Sequence, residues 1–328
     1  ELPVRLENQS KAERGYALSR GEPPAPRKAV AVALAPETPV TAAFRAIVLA
    51  CLEQLHANED GVLEGRDVEY LHQMRVALRR LRSALGIFRA VFPPETLQPA
   101  RDELKWLAGQ LGPARDWDVF FTETLPRVKA APGAAAFQAL RESAQQVRGQ
   151  ALAQAHETVQ SSRYQEMLLD LGAWLAAEPW LGSADAEALA RARGPVSEFA
   201  RDTLERLQRK ARKRGRGFDY LAPQERHRVR IAAKRLRYAG EFFAALYPPK
   251  AVRRYLKALA GLQDVLGALN DAATTEGLLR QALAASLEPA AAAGAGFVGG
   301  WVAADAEHRA AHAKAAWKDF LACEPFWK

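Results

Sequence analysis

His72-Gln73-Met74-Arg75-Val76-Ala77-Leu78-Arg79-Arg80-Leu81-Arg82 is matched 155 positions later by His227-Arg228-Val229-Arg230-Ile231-Ala232-Ala233-Lys234-Arg235-Leu236-Arg237. The register continues through Phe92-Pro93-Pro94 and Tyr247-Pro248-Pro249. Leu104-Lys105 and Leu107-Ala108-Gly109 match Leu256-Lys257 and Leu259-Ala260-Gly261 after a three-residue slip. Leu111-Gly112 with Asp116 then matches Leu266-Gly267 with Asp271, back in the first register. An ordered series of this kind predicts two related halves, each built from a helix, a Pro-Pro stop and a second helix.

Stepping about 100° per residue from His72 places Arg75, Arg79 and Arg82 within one narrow stripe. Met74, Leu78, Leu81, Leu85 and Phe88 form a separate apolar face, while Arg80 falls apart from both. The second copy puts His227, Arg230, Lys234 and Arg237 on its stripe, with Tyr238 beside His227 and Val229, Leu236 and Phe243 on the apolar face. Each helix is thus expected to pack with one face and present a ladder of cations on the next.

Charge supports this reading. The chain of 328 residues has a net charge of +8. Residues 201–237 alone carry +10 and residues 71–94 carry +5, leaving −7 for the remainder. Residues 71–94 contain five Arg and no acid, whereas a solvated helix face ordinarily intersperses Glu with Lys at four-residue spacing. Arg carries a planar fork suited to phosphate oxygens, and stripe residues three and four apart rise by about 5–6 Å. The pattern suits a chain of phosphates. Single-strand nucleic-acid binders interleave aromatic platforms, and none accompanies these ladders, so nucleic acid is the disfavoured partner.

From Val40 onward the texture predicts an all-α protein, with breaks at Gly61–Gly65, Pro93-Pro94, Gly112-Pro113, Pro132-Gly133, Pro179–Gly182, Gly194-Pro195, Gly215–Gly217, Pro248-Pro249 and Pro289–Gly300. Residues 1–38, with their prolines and the alternation Val30-Ala31-Val32-Ala33-Leu34, read as a strand or extended piece followed by a linker. The helical part, 39–328, is expected to divide into halves at about 39–195 and 196–328. Cys51 and Cys323 form no disulfide framework, which favours a reducing compartment and a cytoplasmic location. The uncharged stretch Ala290–Ala304 is 15 residues long, short of the roughly 20 a spanning helix needs; no membrane is expected.

These residues resemble the CHAD family, the conserved histidine α-helical domain. The two His/Arg segments carry the resemblance, with Leu111-Gly112, Arg115-Asp116 and Asp118-Val119, then Leu262-Gln263-Asp264, Leu266-Gly267 and Asn270-Asp271, and the terminal Pro325-Phe326-Trp327. It covers about residues 40–328 and implies two pseudo-symmetric helical bundles that bind inorganic polyphosphate, often at polyphosphate granules. By position it implies a polyphosphate path lined by His72, Arg75, Arg79, Arg80, Arg82, His227, Arg230, Lys234, Arg235, Arg237 and Tyr238, in a groove between the two His/Arg helices. Lys105, Arg115, Arg209, Lys213 and Lys257 are secondary candidates. Ser10-Lys11-Ala12-Glu13-Arg14-Gly15-Tyr16 resembles the last strand of a CYTH domain, a metal-dependent triphosphate-hydrolysing barrel. That likeness makes the segment the remnant of a barrel in a CYTH–CHAD fusion.

No catalytic residue, cofactor or resident metal is expected for this chain. It has no Walker loop, no H-E-x-x-H and no G-x-S-x-G. Asp116, Asp118, Asp264 and Asp271 read as salt-bridge partners for arginines rather than Mg²⁺ ligands, and His308 with His312 as a surface pair. Noncatalytic binding of polyphosphate, or of other phosphate-rich anions, is the leading expectation. Its alternatives are the substrate-capturing part of a polyphosphate or triphosphate hydrolase, and a nucleic-acid-binding helical module.

Overall fold

A computed structural model describes residues 10–21, 24–128, 133–182, 186–286 and 288–328. The first nine residues and Pro23 of the expected N-terminal segment, and Pro132 of one expected break, lie outside the described residues. The helices in chain order are α1 Lys11–Ser19, α2 Val40–His56, α3 Glu59–Leu63, α4 Val68–Phe88, α5 Pro94–Val119, α6 Ala134–Gln160 and α7 Ser162–Ala177. They continue as α8 Pro179–Gly182, α9 Ala186–Arg193, α10 Val196–Arg214, α11 Pro223–Phe242, α12 Pro249–Ala285, α13 Ala290–Ala310 and α14 Ala313–Ala322. Among the described residues there is no strand, and the protein is all-α.

Two compact units emerge. The first comprises the described residues up to Val32, Pro39–Arg115 and Ala153–Gly194; the second comprises Ala33–Thr38, Asp116–Leu152 and Pro195–Lys328. Residues 116–152 group with the second unit, away from the segments on either side of them in sequence. The reason is apolar packing: Trp117, Phe120, Leu140 and Ala144 share a buried cluster with Leu278, Ala282, Ala295 and Val298.

In the first unit α2 packs on α4. Phe44, fully buried, sits among Phe88, Phe92, Trp174 and Trp180 at ring-centroid distances of 4.9–5.9 Å. The stretch Val40–Leu63 is long and apolar enough to cross a membrane by composition alone, with mean hydropathy 1.3. Its buried face carries Val40, Ala43, Phe44, Ile47, Val48, Cys51 and Leu55, the pattern of a helix that serves as a core element. Gln54 Nε2 donates to Gln73 Oε1 at 2.9 Å, and Gln73 Nε2 donates to Glu69 Oε1 at 2.6 Å. This polar clasp fixes the register of α4 against α2, because buried amides tolerate no slip that would leave them unpaired.

In the second unit α11 packs on α10 and α12, and α12 also on α13 and α14. Tyr255 anchors the chain terminus, its ring 5.5 Å from Phe326 and 5.0 Å from Trp327. Burial holds the Tyr255 hydroxyl well above its usual range, so it stays neutral. Trp327 Nε1 donates to Glu205 Oε2 at 3.2 Å. Cys51 is buried in the first unit; Cys323, in the second, is half-buried, and neither is in a disulfide.

Three local expectations are corrected. Ser10–Tyr16 is not a strand: Lys11–Ser19 is helical, and Ser10 and Glu13 exchange side-chain caps, Ser10 N donating to Glu13 Oε2 at 2.7 Å and Glu13 N to Ser10 Oγ at 3.2 Å. A lone strand would leave its backbone groups unpaired, whereas a capped helix satisfies them locally. At Val30–Leu34 the chain is irregular, so of the two readings of that alternation the strand is not formed. Gly112-Pro113 does not end α5, which runs from Pro94 to Val119 with Pro99 and Pro113 inside it. An internal proline costs roughly 3 kcal/mol, and the complete burial of Leu104, Leu107, Leu111, Ala114 and Trp117 outweighs it.

The third correction concerns Pro289–Gly300, which beyond Pro289 is helix α13 rather than a break. Gly294 marks close packing: a Cβ there would lie 2.4 Å from the carbonyl oxygen of Ala136 on α6. Gly294→Ala is therefore expected to destabilise the protein by about 1–3 kcal/mol through overpacking, despite alanine's better helix propensity. Denaturant unfolding of the variant checks this; a stabilised Gly294→Ala protein would refute the close approach.

Candidate functional site

The His72 helix is set up by its own start. Asp67 caps α4, its carboxylate accepting from the Glu69 amide at 2.8 Å. From there the predicted apolar face holds: Met74, Leu78, Leu81, Leu85 and Phe88 are all at most 1% exposed. The cation stripe faces the other way. His72, Arg75 and Arg79 are half-buried and Arg82 is exposed, whereas Arg80 is buried.

Several arginines of the protein pair with carboxylates. Arg148 donates from Nε and Nη2 to Asp118 Oδ1 at 3.0 and 2.8 Å, with Asp118 fully buried. Arg163 forks onto Glu103 at 3.0 and 3.2 Å, and Arg127 meets Asp305 at 2.5 Å. On α4, Arg75 Nη1 donates to a backbone carbonyl, that of Ala108 on α5, at 3.2 Å. A Cβ on Gly112 would lie 3.4 Å from the same Nη1, so the small residue at 112 leaves room for this guanidinium. Arg79 Nε is buried and has no hydrogen-bond acceptor among the described residues. A buried donor left this way costs about 1–3 kcal/mol, which an anionic oxygen would recover.

The second helix, α11, begins at Pro223, with the Ala222 amide donating to Glu225 Oε2 at 2.9 Å. Val229, Leu236 and Phe243 are buried as expected. His227 and Arg235 are exposed, Arg230, Lys234 and Arg237 half-buried, and Tyr238 buried. Arg237 is committed within the protein: its Nε donates to Glu241 Oε1 at 2.9 Å and its Nη1 to Gln263 Oε1 at 3.3 Å. The geometry thus leaves Arg80 and Tyr238 beneath the surface and the other nine primary candidates at least partly accessible.

The secondary candidates scatter. Lys105 on α5 and Lys257 on α12 are exposed, and Arg115 is half-buried near the end of α5. Arg209 and Lys213, on α10, line a cavity of about 740 Å³ together with residues of the following turn and of α14. Of the aspartates weighed in the sequence, Asp118 holds an arginine. Its partner Arg148 was not singled out, because 30 residues and a break separate the two in sequence. His308 and His312 lie 5.5 Å apart ring to ring, and His312 Nδ1 is 3.2 Å from the His308 carbonyl oxygen. Among the described residues no three His, Cys, Asp or Glu side chains are grouped to hold a metal.

The described residues form an all-α protein in which α4 and α11 each carry a cluster of cations on one side of an apolar face. The chain belongs to the CHAD domain family, which matches residues 46–280. The crystal structure of the CHAD domain from the plant Ricinus communis is similar at a TM-score of 0.76 and 38% identity, over 92% of this chain and 98% of that one. PptA from Streptomyces chartreusis shares the fold at a TM-score of 0.57 and 19% identity, over 86% of this chain and 100% of that one. None of the curated proteins matches the chain.

Proposed function

We propose that this protein binds inorganic polyphosphate without hydrolysing it, through the cation ladders of α4 and α11. The observation that carries the reading is Arg79, whose buried Nε lacks a protein acceptor on a helix stretch free of acids. Arg75 and Arg82 flank it on the same stripe, and along an α-helix the three span roughly 10 Å, a length over which several phosphates of a linear chain run. Membership of the CHAD domain family supports the same ligand, since the family resemblance implies polyphosphate. His227, Arg230 and Lys234 repeat the arrangement on α11, Arg235 lies off that stripe and is exposed, and Arg237 contributes through a guanidinium already held by Glu241. Charge-assisted hydrogen bonds of this kind contribute about 1.5–3 kcal/mol each. The binding would place the protein at polyphosphate granules.

Titration with polyphosphate of defined length at several salt concentrations tests the reading. By analogy with single-stranded nucleic acids, log K is expected to fall against log salt with a slope near −0.7 per neutralised phosphate, giving a total of several units. Equal affinity for single-stranded DNA of matched charge would overturn the phosphate-chain reading. Release of phosphate on addition of Mg²⁺ or Mn²⁺ would overturn the noncatalytic one.

A further inference from the structure

We propose that the cavity between the end of α10, the following turn and α14 binds a nucleoside polyphosphate, an aromatic base joined to several phosphates. None of the ladder residues of α4 or α11 lines it, and the proposal stands without the polyphosphate assignment. Its volume, about 740 Å³, is in the range of small-molecule clefts, roughly 300–1,000 Å³.

The chain builds the cavity through a tight turn. Gly217, at φ 63°, takes the left-handed conformation that reverses the backbone after α10. A Cβ on Gly215 would lie 2.2 Å from the Trp317 ring, so the turn lies directly against α14. Phe218 and Trp317 then stack in parallel, 5.1 Å apart with an interplanar angle of 8°, and form an apolar floor. Tyr220 stands at the rim, 93% exposed. A large aromatic side chain left in water beside a cavity is a ready face for a flat ring.

The charges around that floor are predominantly positive. Lys213, Arg216 and Lys318 line the cavity and have no carboxylate partner among the described residues. The acid present, Asp219, is already taken by Lys314 at 2.5 Å. Cations in the last turn of α10 alone would be an ordinary response to the helix dipole. Here Arg216 from the turn and Lys318 from α14 join them, so three separate elements direct positive charge at one space. An aromatic face beside unneutralised cations calls for a ligand with both a planar ring and a high negative charge. Inorganic phosphate chains supply the charge alone; a nucleotide supplies both.

Calorimetric titration of the full chain with ATP and with inorganic triphosphate, at fixed ionic strength, tests this. ATP is expected to bind at least fivefold more tightly than triphosphate. Tyr220→Ala should weaken ATP binding about five- to tenfold, equivalent to about 1–1.4 kcal/mol, as loss of one stacked ring would, while leaving triphosphate within twofold; Tyr220→Phe should restore ATP binding. Arg216→Ala with Lys318→Ala should weaken both ligands at least tenfold. Equal affinities for ATP and triphosphate, or an unaffected Tyr220→Ala protein, would overturn the proposal. The ladder variant Arg79→Ala/Lys234→Ala separates the two sites. It should bind ATP as the parent does even where polyphosphate binding is lost, and loss of ATP binding in that variant would place the nucleotide on the ladders and overturn the assignment to this cavity.

Discussion

Replacing Arg79 and Lys234 together by alanine is expected to weaken polyphosphate binding at least tenfold while the protein stays folded. Each side chain supplies a charge to one ladder, and each charge-assisted bond contributes about 1.5–3 kcal/mol, where about 1.4 kcal/mol is a factor of ten. Both residues are half-buried rather than core. Truncating Arg79 also removes a buried donor that has no acceptor in the protein, so the folded state loses little. The slope of log K against log salt should become shallower by about 1.4, two phosphates' worth. Unchanged affinity in a folded double variant, verified by circular dichroism, would remove the ladders from the binding surface.

Phe44→Ala is expected to have the largest effect on stability, about 3–5 kcal/mol. The ring is fully buried and touches four other aromatic rings from α4, the chain after it, α7 and α8. A cavity at the meeting point of so many elements cannot collapse by moving one of them. The thermal midpoint should fall by about 6–15 °C. Leu49, on the same helix but 43% exposed, serves as the contrast: Leu49→Ala should change stability by less than about 0.5 kcal/mol. Equal effects at the two positions would mean that α2 does not bury the face described here, and would reopen the composition-based reading of Val40–Leu63 as a membrane-crossing segment.

What was legible in the sequence was periodic. The apolar face of α4 could be drawn on a wheel from Met74 to Phe88, and each of its five residues is buried, because burial of an amphipathic helix depends on spacing more than on distant contacts. Punctuation was read less well. Gly112-Pro113 and the glycines after Pro289 are strong local breakers, yet both lie within helices, since tertiary packing overrides propensity where Leu111, Ala114, Gly294 and Ala295 are buried. Long-range pairings were out of reach: nothing local to Asp118 names Arg148, and nothing in α10 names Lys318 as a neighbour across the cavity. The basic run after Arg206 was visible as charge. Its meeting with Trp317 was not, because that contact joins residues a hundred positions apart.

The placement of the two cysteines gives each unit its own chemical clock. A thiol at 1% exposure, Cys51, can react with an alkylating or disulfide reagent only when the core around α2 opens. Cys323, half-buried at the end of α14, reacts from the native state or after local fraying. The fast reaction labels the second unit and the slow one times the opening of the first, so a mass spectrum taken over hours resolves the stability of each unit in the unmodified protein. Adding polyphosphate to that measurement shows which unit's opening the ligand suppresses.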